Sequence, residues 1–360
     1  MNNETIVSKV KTKIRGLSVY QVKASDAQVI EMNKNENPYD IPQNLKREIL
    51  DYAMERSWSR YPPLVAYDLY KSIASYTGWM PEGIVAGNGS DEMILTLMLT
   101  FLEPGKTLVV PTPSFPIFSY IATLVGADTI KVPLNPDYTY DCDLLEETIS
   151  CQGDMLIICS PNNPTGTPFP LDRLEGILQK TNVPVIVDEA YFEFSGTTAL
   201  DFLKDNDNLI IFRTFSKAFS LASMRVGYAL MAPELACEVG KVKLPFNLDF
   251  FSIAAASKLL EHSDVLHKVI EEIVQERERL SIAMKEIERV TVYPSAANFI
   301  LFKTPYDPGK VFESILADGI LVRNLSADPA LANTLRVTTS KPSDNEKFIN
   351  ALARAMRDLS

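Results

Sequence analysis

Lys217 closes the segment Phe212-Arg213-Thr214-Phe215-Ser216-Lys217, which follows directly on an apolar run, and Arg225 comes shortly after it. A lysine condenses with an aldehyde once neighbouring cations or desolvation lower its ammonium pKa, and Arg225 is a candidate neighbour; the plainer alternative is a pair of surface cations. Asp188 ends a second apolar run in Val185-Ile186-Val187-Asp188-Glu189-Ala190-Tyr191. A carboxylate there is costly to bury unless it meets a cation or a protonated nitrogen, although it could equally cap the next helix. Tyr191 lies within reach of the same ligand if the chain turns. In Ser160-Pro161-Asn162-Asn163-Pro164-Thr165-Gly166 the proline holds Asn163 out of the helical region, and the resulting stiff corner aims the Asn163 amide in one direction or is merely a turn. Gly87-Asn88-Gly89-Ser90 opens a helical pattern. Free amides at such a start bind phosphate, and glycine lets the ligand close in on the backbone, although Asp91 and Glu92 would oppose an anion unless they point away.

The elements that must position these groups read as a mostly parallel sheet covered by helices. The expected strands are Thr107–Pro111, Met155–Cys159, Pro184–Val187, Leu209–Arg213 and Val226–Met231. Several are continuous Val/Ile/Leu runs, as strands buried on both faces should be, and open sheets of this kind put ligands just beyond their strand ends. A helix is expected to start at Ser90 as N-cap and to carry Met93, Ile94, Leu97, Met98, Phe101 and Leu102 on one stripe. The texture changes after about Phe251. Ser263 is expected to cap a long connecting helix through Leu266, Val269, Ile273, Leu280, Met284 and Ile287, before strands at Val290–Lys303, Gly319–Leu325 and Leu335–Thr339 and a last helix from about Asp344. The predicted organisation is an arm over 1–35, a large domain over 36–250 and a smaller α+β domain over 251–360. The arm is polar and uneven, suited to packing against something else.

The 360 residues are 46% hydrophobic and 22% charged, ordinary for a folded globular protein and too apolar for a disordered one. The net charge of −11 argues against nucleic acid but leaves room for a local basic pocket. Cys142, Cys151, Cys159 and Cys237 have no paired spacing and read as reduced, with Cys159 a buried small hydrophobe. His262 and His267 alone cannot supply a histidine triad or zinc site and read as an exposed helix face, so no metal is expected. The amino terminus lacks a signal-like apolar core and no run is long enough for a membrane span, which points to the cytoplasm.

In chain order, G-N-G-S-D-E, S-P-N-N-P-T-G, V-D-E-A-Y and T-F-S-K-A-F followed by R-V-G-Y resemble the segments of the fold-type I pyridoxal-phosphate aminotransferases. The likeness runs through R-G-L-S-V-Y at Arg15–Tyr20, N-K-N-E-N-P at Asn33–Pro38, R-Y-P at Arg60–Pro62 and L-R-V-T near the end, and within the family it is greatest to the histidinol-phosphate aminotransferases. The resemblance implies an α/β fold with a mostly parallel mixed sheet, and pyridoxal 5'-phosphate as cofactor. It implies Lys217 as the residue that carries the cofactor and shuttles a proton at the substrate α-carbon, Asp188 as partner of the pyridinium nitrogen, and Asn163 and Tyr191 on the phenolic oxygen. It places the cofactor phosphate on the amides of Ser90 and Asp91 with Thr214, Ser216 and Arg225, and Phe115 on the ring face. It further implies a homodimer with shared sites, in which Tyr61 reaches the neighbouring subunit's cofactor phosphate. Arg336 corresponds to the substrate-carboxylate arginine, and Arg323, Tyr20 and Asn33 to the group around the substrate's own phosphate.

One departure stands out: Ser220 and Ser223 occupy positions where relatives usually have glycine, so a positive φ at either would add strain. The reaction implied is amino transfer between L-histidinol phosphate and 2-oxoglutarate. Alternatives are an aromatic-amino-acid aminotransferase, a threonine-phosphate decarboxylase, and a ligand-sensing regulator built on an aminotransferase body, for whose helix-turn-helix module the residues ahead of the matching region are too few.

Overall fold

The computed structural model describes residues 6–17 and 29–360. Its strands are β1 (Ile30–Glu31), β2 (Ile84–Asn88), β3 (Thr107–Thr112), β4 (Asp128–Pro133), β5 (Met155–Cys159), β6 (Val185–Asp188), β7 (Leu209–Thr214), β8 (Val226–Leu230), β9 (Thr291–Val292), β10 (Phe299–Lys303), β11 (Ile320–Leu321), β12 (Arg323–Asn324) and β13 (Thr334–Thr338). Seven of them form one sheet in the order β2-β8-β7-β6-β5-β3-β4, parallel throughout except that β8 runs against both neighbours. Parallel neighbours need crossover helices, and these cover both faces. On β5, Leu156 and Ile158 enter one core while Met155, Ile157 and Cys159 enter the other. That two-sided burial is why this strand reads as an unbroken apolar run.

Two strands of this sheet escaped the sequence reading. β2 carries only the three-residue apolar run Ile84-Val85-Ala86 before Gly87-Asn88, and β4 is an edge strand whose residues are mostly exposed or half-exposed, with no continuous apolar run. The expected strand over 290–303 is divided into β9 and β10, and the one over 319–325 into β11 and β12. The helix expected to be capped by Ser90 spans Gly89–Phe101, with Asn88 at the N-cap position and no side-chain cap. Ser263 likewise lies inside its helix, Ser263–Lys285, behind His262. The last helix begins at Pro342, whose fixed φ suits a first turn.

The second, four-stranded sheet has the order β12-β13-β10-β9, all antiparallel, and packs on the helices Ser263–Lys285, Pro308–Ala317 and Pro342–Asp358 around Phe302, Val337, Phe348 and Leu352. The helix Phe250–Glu261 contributes Ala254, Ala255, Ala256, Leu259 and Leu260 to the first core. The packing boundary therefore falls beyond residue 250. Ser263–Lys285 crosses it, giving Leu266, Ile270 and Ile273 to the large core and Leu280 and Met284 to the small one. The arm is also divided between bodies. β1 pairs in parallel with β11, and Met32, fully buried in the small core, donates to Leu321 O and accepts from Thr338 N. Earlier in the arm, Lys13 Nζ donates to Gly126 O and Asp128 Oδ1, both at 3.0 Å, closing the C-terminal end of the helix Ile117–Val125. Among the described residues no helix is long and apolar enough to cross a membrane.

Because Met32 fills the small core and its backbone ties β1 to β13, Met32→Ala should cost about 2–5 kcal/mol. Urea unfolding checks this; a change below roughly 0.5 kcal/mol would show that residues 30–32 merely rest on the small domain.

Candidate active site

The carboxyl ends of the parallel strands meet in one cavity of about 380 Å³. Asp188 ends β6, Asn163 follows β5, Thr214 ends β7 and leads to Ser216 and Lys217, and the first turn of Gly89–Phe101 brings Ser90 and Asp91 to the same end. Because β8 is antiparallel, its entry residue Arg225 also arrives there. From the small domain come Arg323 and Arg336, and from the arm Asn33 and Asn35. All of these but Asn35 were singled out from sequence, and Phe115 and Tyr191, also singled out, line the same cavity. Tyr61 does not. It is largely exposed on another face and stacks on Phe246 at 4.6 Å. Tyr20 lies outside the described residues.

Asp188 is buried, and its oxygens are served by little: Ala190 N donates to Oδ1 at 2.9 Å and the Cys159 thiol approaches Oδ2 at 3.6 Å. Desolvation raises its pKa from 3.8 to about 7, against the pull of those two donors. This carboxyl needs a cation and has none among its hydrogen-bond partners. Lys217 shows the complementary effect. Burial, then the Arg336 and Arg225 charges, lower its ammonium to about 8, while Nζ donates to Lys34 O at 2.9 Å. Arg213, in the same segment, is buried against Glu189, with contacts of 2.9 and 2.8 Å, beneath the Phe192 ring.

The phosphate end is shaped by missing side chains. A Cβ on Gly227 would lie 2.7 Å from Ser90 N, and one on Gly89, which has φ +79°, would lie 2.6 Å from Arg225 Nη2. Only glycine lets the helix start and the guanidinium converge here. Glu92 turns away, accepting from Asn88 N and from Asn247 Nδ2, and Asp91 pairs with Arg225 at 3.5 Å, so the opposing charges are taken up. Arg225 Nη1 also reaches Ser216 Oγ at 3.4 Å, and Ser216 N donates to Thr214 Oγ1.

On the opposite wall Arg323 and Arg336 are register partners on adjacent strands. Arg336 donates to Asn163 Oδ1 at 2.5 Å and to Asn33 O at 2.8 Å. Asn35, inside N-K-N-E-N-P, donates from Nδ2 to the Tyr191 hydroxyl at 3.0 Å. Asn162 stitches its own loop, accepting from Ser114 Oγ and donating to Pro113 O and Thr165 Oγ1. Sequence reasoning singled out neither of these asparagines for a role, since only their long-range partners distinguish them from turn residues. The group expected from sequence fits this cavity: an acid starved of a cation, an amine of lowered pKa, a glycine-lined helix start beside an arginine, and an aromatic wall at Phe115. Among the described residues no cluster of His, Cys, Asp and Glu is arranged to hold a metal ion.

The aminotransferase class I and II family model matches residues 27–352. The histidinol-phosphate aminotransferase of Thermoanaerobacter sp. strain X514 is 39% identical over 344 residues, covering 95% of this chain and 97% of that protein. That of Aquifex aeolicus is 36% identical, covering 98% of this chain and 99% of that protein. The crystal structure of histidinol-phosphate aminotransferase from Sinorhizobium meliloti in complex with pyridoxal-5'-phosphate shares the fold, with TM-score 0.88 and 24% identity over 98% of this chain and 99% of that one.

Two outcomes follow. Between pH 4 and pH 7 the folded protein keeps a proton on Asp188 that the unfolded chain has released, so this group makes stability fall as pH rises through that window. In cofactor-free protein Asp188→Asn should match its parent near pH 4 and exceed it at pH 8 by on the order of 2–4 kcal/mol, read from denaturant unfolding at both pH values. Ser220 sits at φ 56°, whereas Ser223 has no positive φ. Ser220→Gly should therefore stabilise by roughly 0.5–1 kcal/mol, the left-handed penalty less glycine's extra chain entropy, and Ser223→Gly should not.

Proposed function

This chain belongs to the aminotransferase class I and II family, and on that premise we propose that it is a pyridoxal-5'-phosphate enzyme that moves the amino group of L-histidinol phosphate to 2-oxoglutarate, yielding imidazole-acetol phosphate and L-glutamate. The observation that carries this reading is that one cavity joins Lys217 and Asp188 to two separate anion sites, Arg225 with the Ser90–Asp91 helix start and Arg323 with Arg336. The first suits a cofactor phosphate. The second suits the carboxylates of glutamate and 2-oxoglutarate and, in the alternate half-reaction, the phosphate ester of histidinol phosphate, since guanidinium forks bind both.

When bound, pyridoxal 5'-phosphate supplies an aldehyde that takes up the amino group and a ring that accepts the electrons of the α C–H bond. Asp188 keeps the proton on the ring nitrogen, its scarcity of other partners making that pairing strong. Lys217 Nζ, with its pKa near 8, holds the covalent position and then moves the proton from the substrate α-carbon. Asn163 and Tyr191 orient the phenolic oxygen, Phe115 covers the ring, and Arg336 ties the substrate anion to Asn163. Asn33, Arg323 and Tyr20 are assigned to the substrate phosphate.

We also place the enzyme as a cytoplasmic homodimer with shared sites. The support is the cluster along one stretch of chain of exposed large hydrophobics, Trp58, Tyr61, Leu64, Val65 and Tyr67, of the kind that marks an interaction site, with Tyr61 offered to the partner's cofactor phosphate.

Adding single amino donors to the cofactor-loaded protein and following its visible band tests the reading. Histidinol phosphate and glutamate should each discharge the band, and Lys217→Ala should lose turnover by at least about 10³-fold. Faster discharge by aromatic amino acids would reassign the substrate, and release of carbon dioxide from threonine phosphate would reassign the reaction.

A further inference from the structure

Asn35 lines the cavity but none of the sequence motifs assigns it a role there, and every polar group it has is engaged with the small domain or with Tyr191. It is buried, with φ 57°, a left-handed conformation that asparagine and aspartate tolerate better than other side chains. Its N–H donates to Thr338 Oγ1 at 3.0 Å and its carbonyl accepts from Asn298 Nδ2 at 3.0 Å. Its side-chain Oδ1 faces Thr338 Oγ1 at 3.2 Å, and Nδ2 faces the Tyr191 hydroxyl at 3.0 Å. The ring of Tyr191 is fixed by burial and by an edge contact with Phe299 at 5.2 Å.

These contacts carry a polarity. The Thr338 hydroxyl accepts the Asn35 N–H and gives its own proton to Oδ1, which turns the amide nitrogen toward Tyr191. A phenol oxygen that accepts from Nδ2 must send its single proton elsewhere, and the open direction is the cavity that Tyr191 lines. We infer that Asn35 is a positioning residue, held by Thr338 of the small domain, that fixes the Tyr191 hydroxyl proton toward the cavity rather than toward the arm. Thr338 lies on β13 with Arg336, and Arg336 holds Asn163. One small-domain strand thus orients both groups assigned to the cofactor's phenolic oxygen. The charged and titratable groups facing Tyr191 are Arg336 from β13, Asp188 from β6, Cys159 from β5, and Lys217, whose Nζ lies 6.0 Å from the ring. None of them accepts the phenol proton among the hydrogen bonds of the described residues.

The inference rests on the reading that Tyr191 donates to the bound cofactor. Asn35→Asp keeps the shape and the tolerated backbone while replacing the donor by an acceptor, so the Tyr191 proton turns to the carboxylate and is lost to the cavity. The readout is the pH midpoint of the cofactor's visible band in the loaded protein, not turnover. Losing a donor to the phenolic oxygen should raise that midpoint by about one pH unit. The same substitution in a Tyr191→Phe background should shift it by less than half as much, because no proton remains to be turned. Thr338→Val, which releases the amide, should raise the midpoint in the same direction by a smaller amount. An unchanged midpoint in Asn35→Asp and in Thr338→Val, or an equal shift with and without the Tyr191 hydroxyl, overturns the inference. A parent protein that takes up no cofactor, or a Tyr191→Phe variant with the parent's midpoint, takes down the underlying reading and the inference with it.

Discussion

A carboxylate withdrawn from water at the end of a central strand is the constraint on which the rest of this molecule turns. Asp188 has one backbone N–H and one thiol for company, and neither offsets the loss of solvent, so its proton affinity is high until a cation arrives. Placing that acid requires β6 to be flanked by β5 and β7 and covered on both faces. It also requires the neighbouring strand ends to be polar, since a buried end with no ligand partner would be a fault in the sheet.

Lys217 is the electrostatic opposite of Asp188 and is governed by the same scarcity of water. Its amine is made available by burial and by Arg336 and Arg225, and Arg336 comes from β13, distant in sequence. The two anion sites are kept apart by construction. Arg225 is drawn to the helix start by paired glycines, Gly89 and Gly227, whereas Arg323 and Arg336 face each other across β12 and β13 in the other domain. The proposed function uses the first for the cofactor phosphate and the second for the exchanging substrate anion.

The arm joins these halves. β1 is a strand of the small domain in packing, although in sequence it precedes the whole large domain. The asparagines that follow it reach Arg336, Thr338 and Tyr191. Any motion of the small domain is thus felt at the phenol and amide groups of the large one through hydrogen bonds rather than through loose contact.

The inward ends of β5, β6, β7 and β8, the motif loops behind them and the residue types able to hold an anion, an amine and an acid were legible from sequence, because apolar runs and turn residues act over a few neighbours. Lys217, Asp188, Asn163 and Arg225 are candidates by type and position, each with a plainer alternative that only the family resemblance set aside. β2 and β4 were not legible, since the apolar run Ile84-Val85-Ala86 of β2 is cut off by Gly87-Asn88 and β4, at the sheet edge, has no continuous apolar run at all. Nor were the packing boundary past residue 250, the burial of Arg213 against Glu189, or the reach of Asn35 to Tyr191. Chemistry belongs to the side chain and travels with the sequence. Burial, proton affinity and hydrogen-bond direction depend on atoms brought from hundreds of residues away, and only the closed fold sets those.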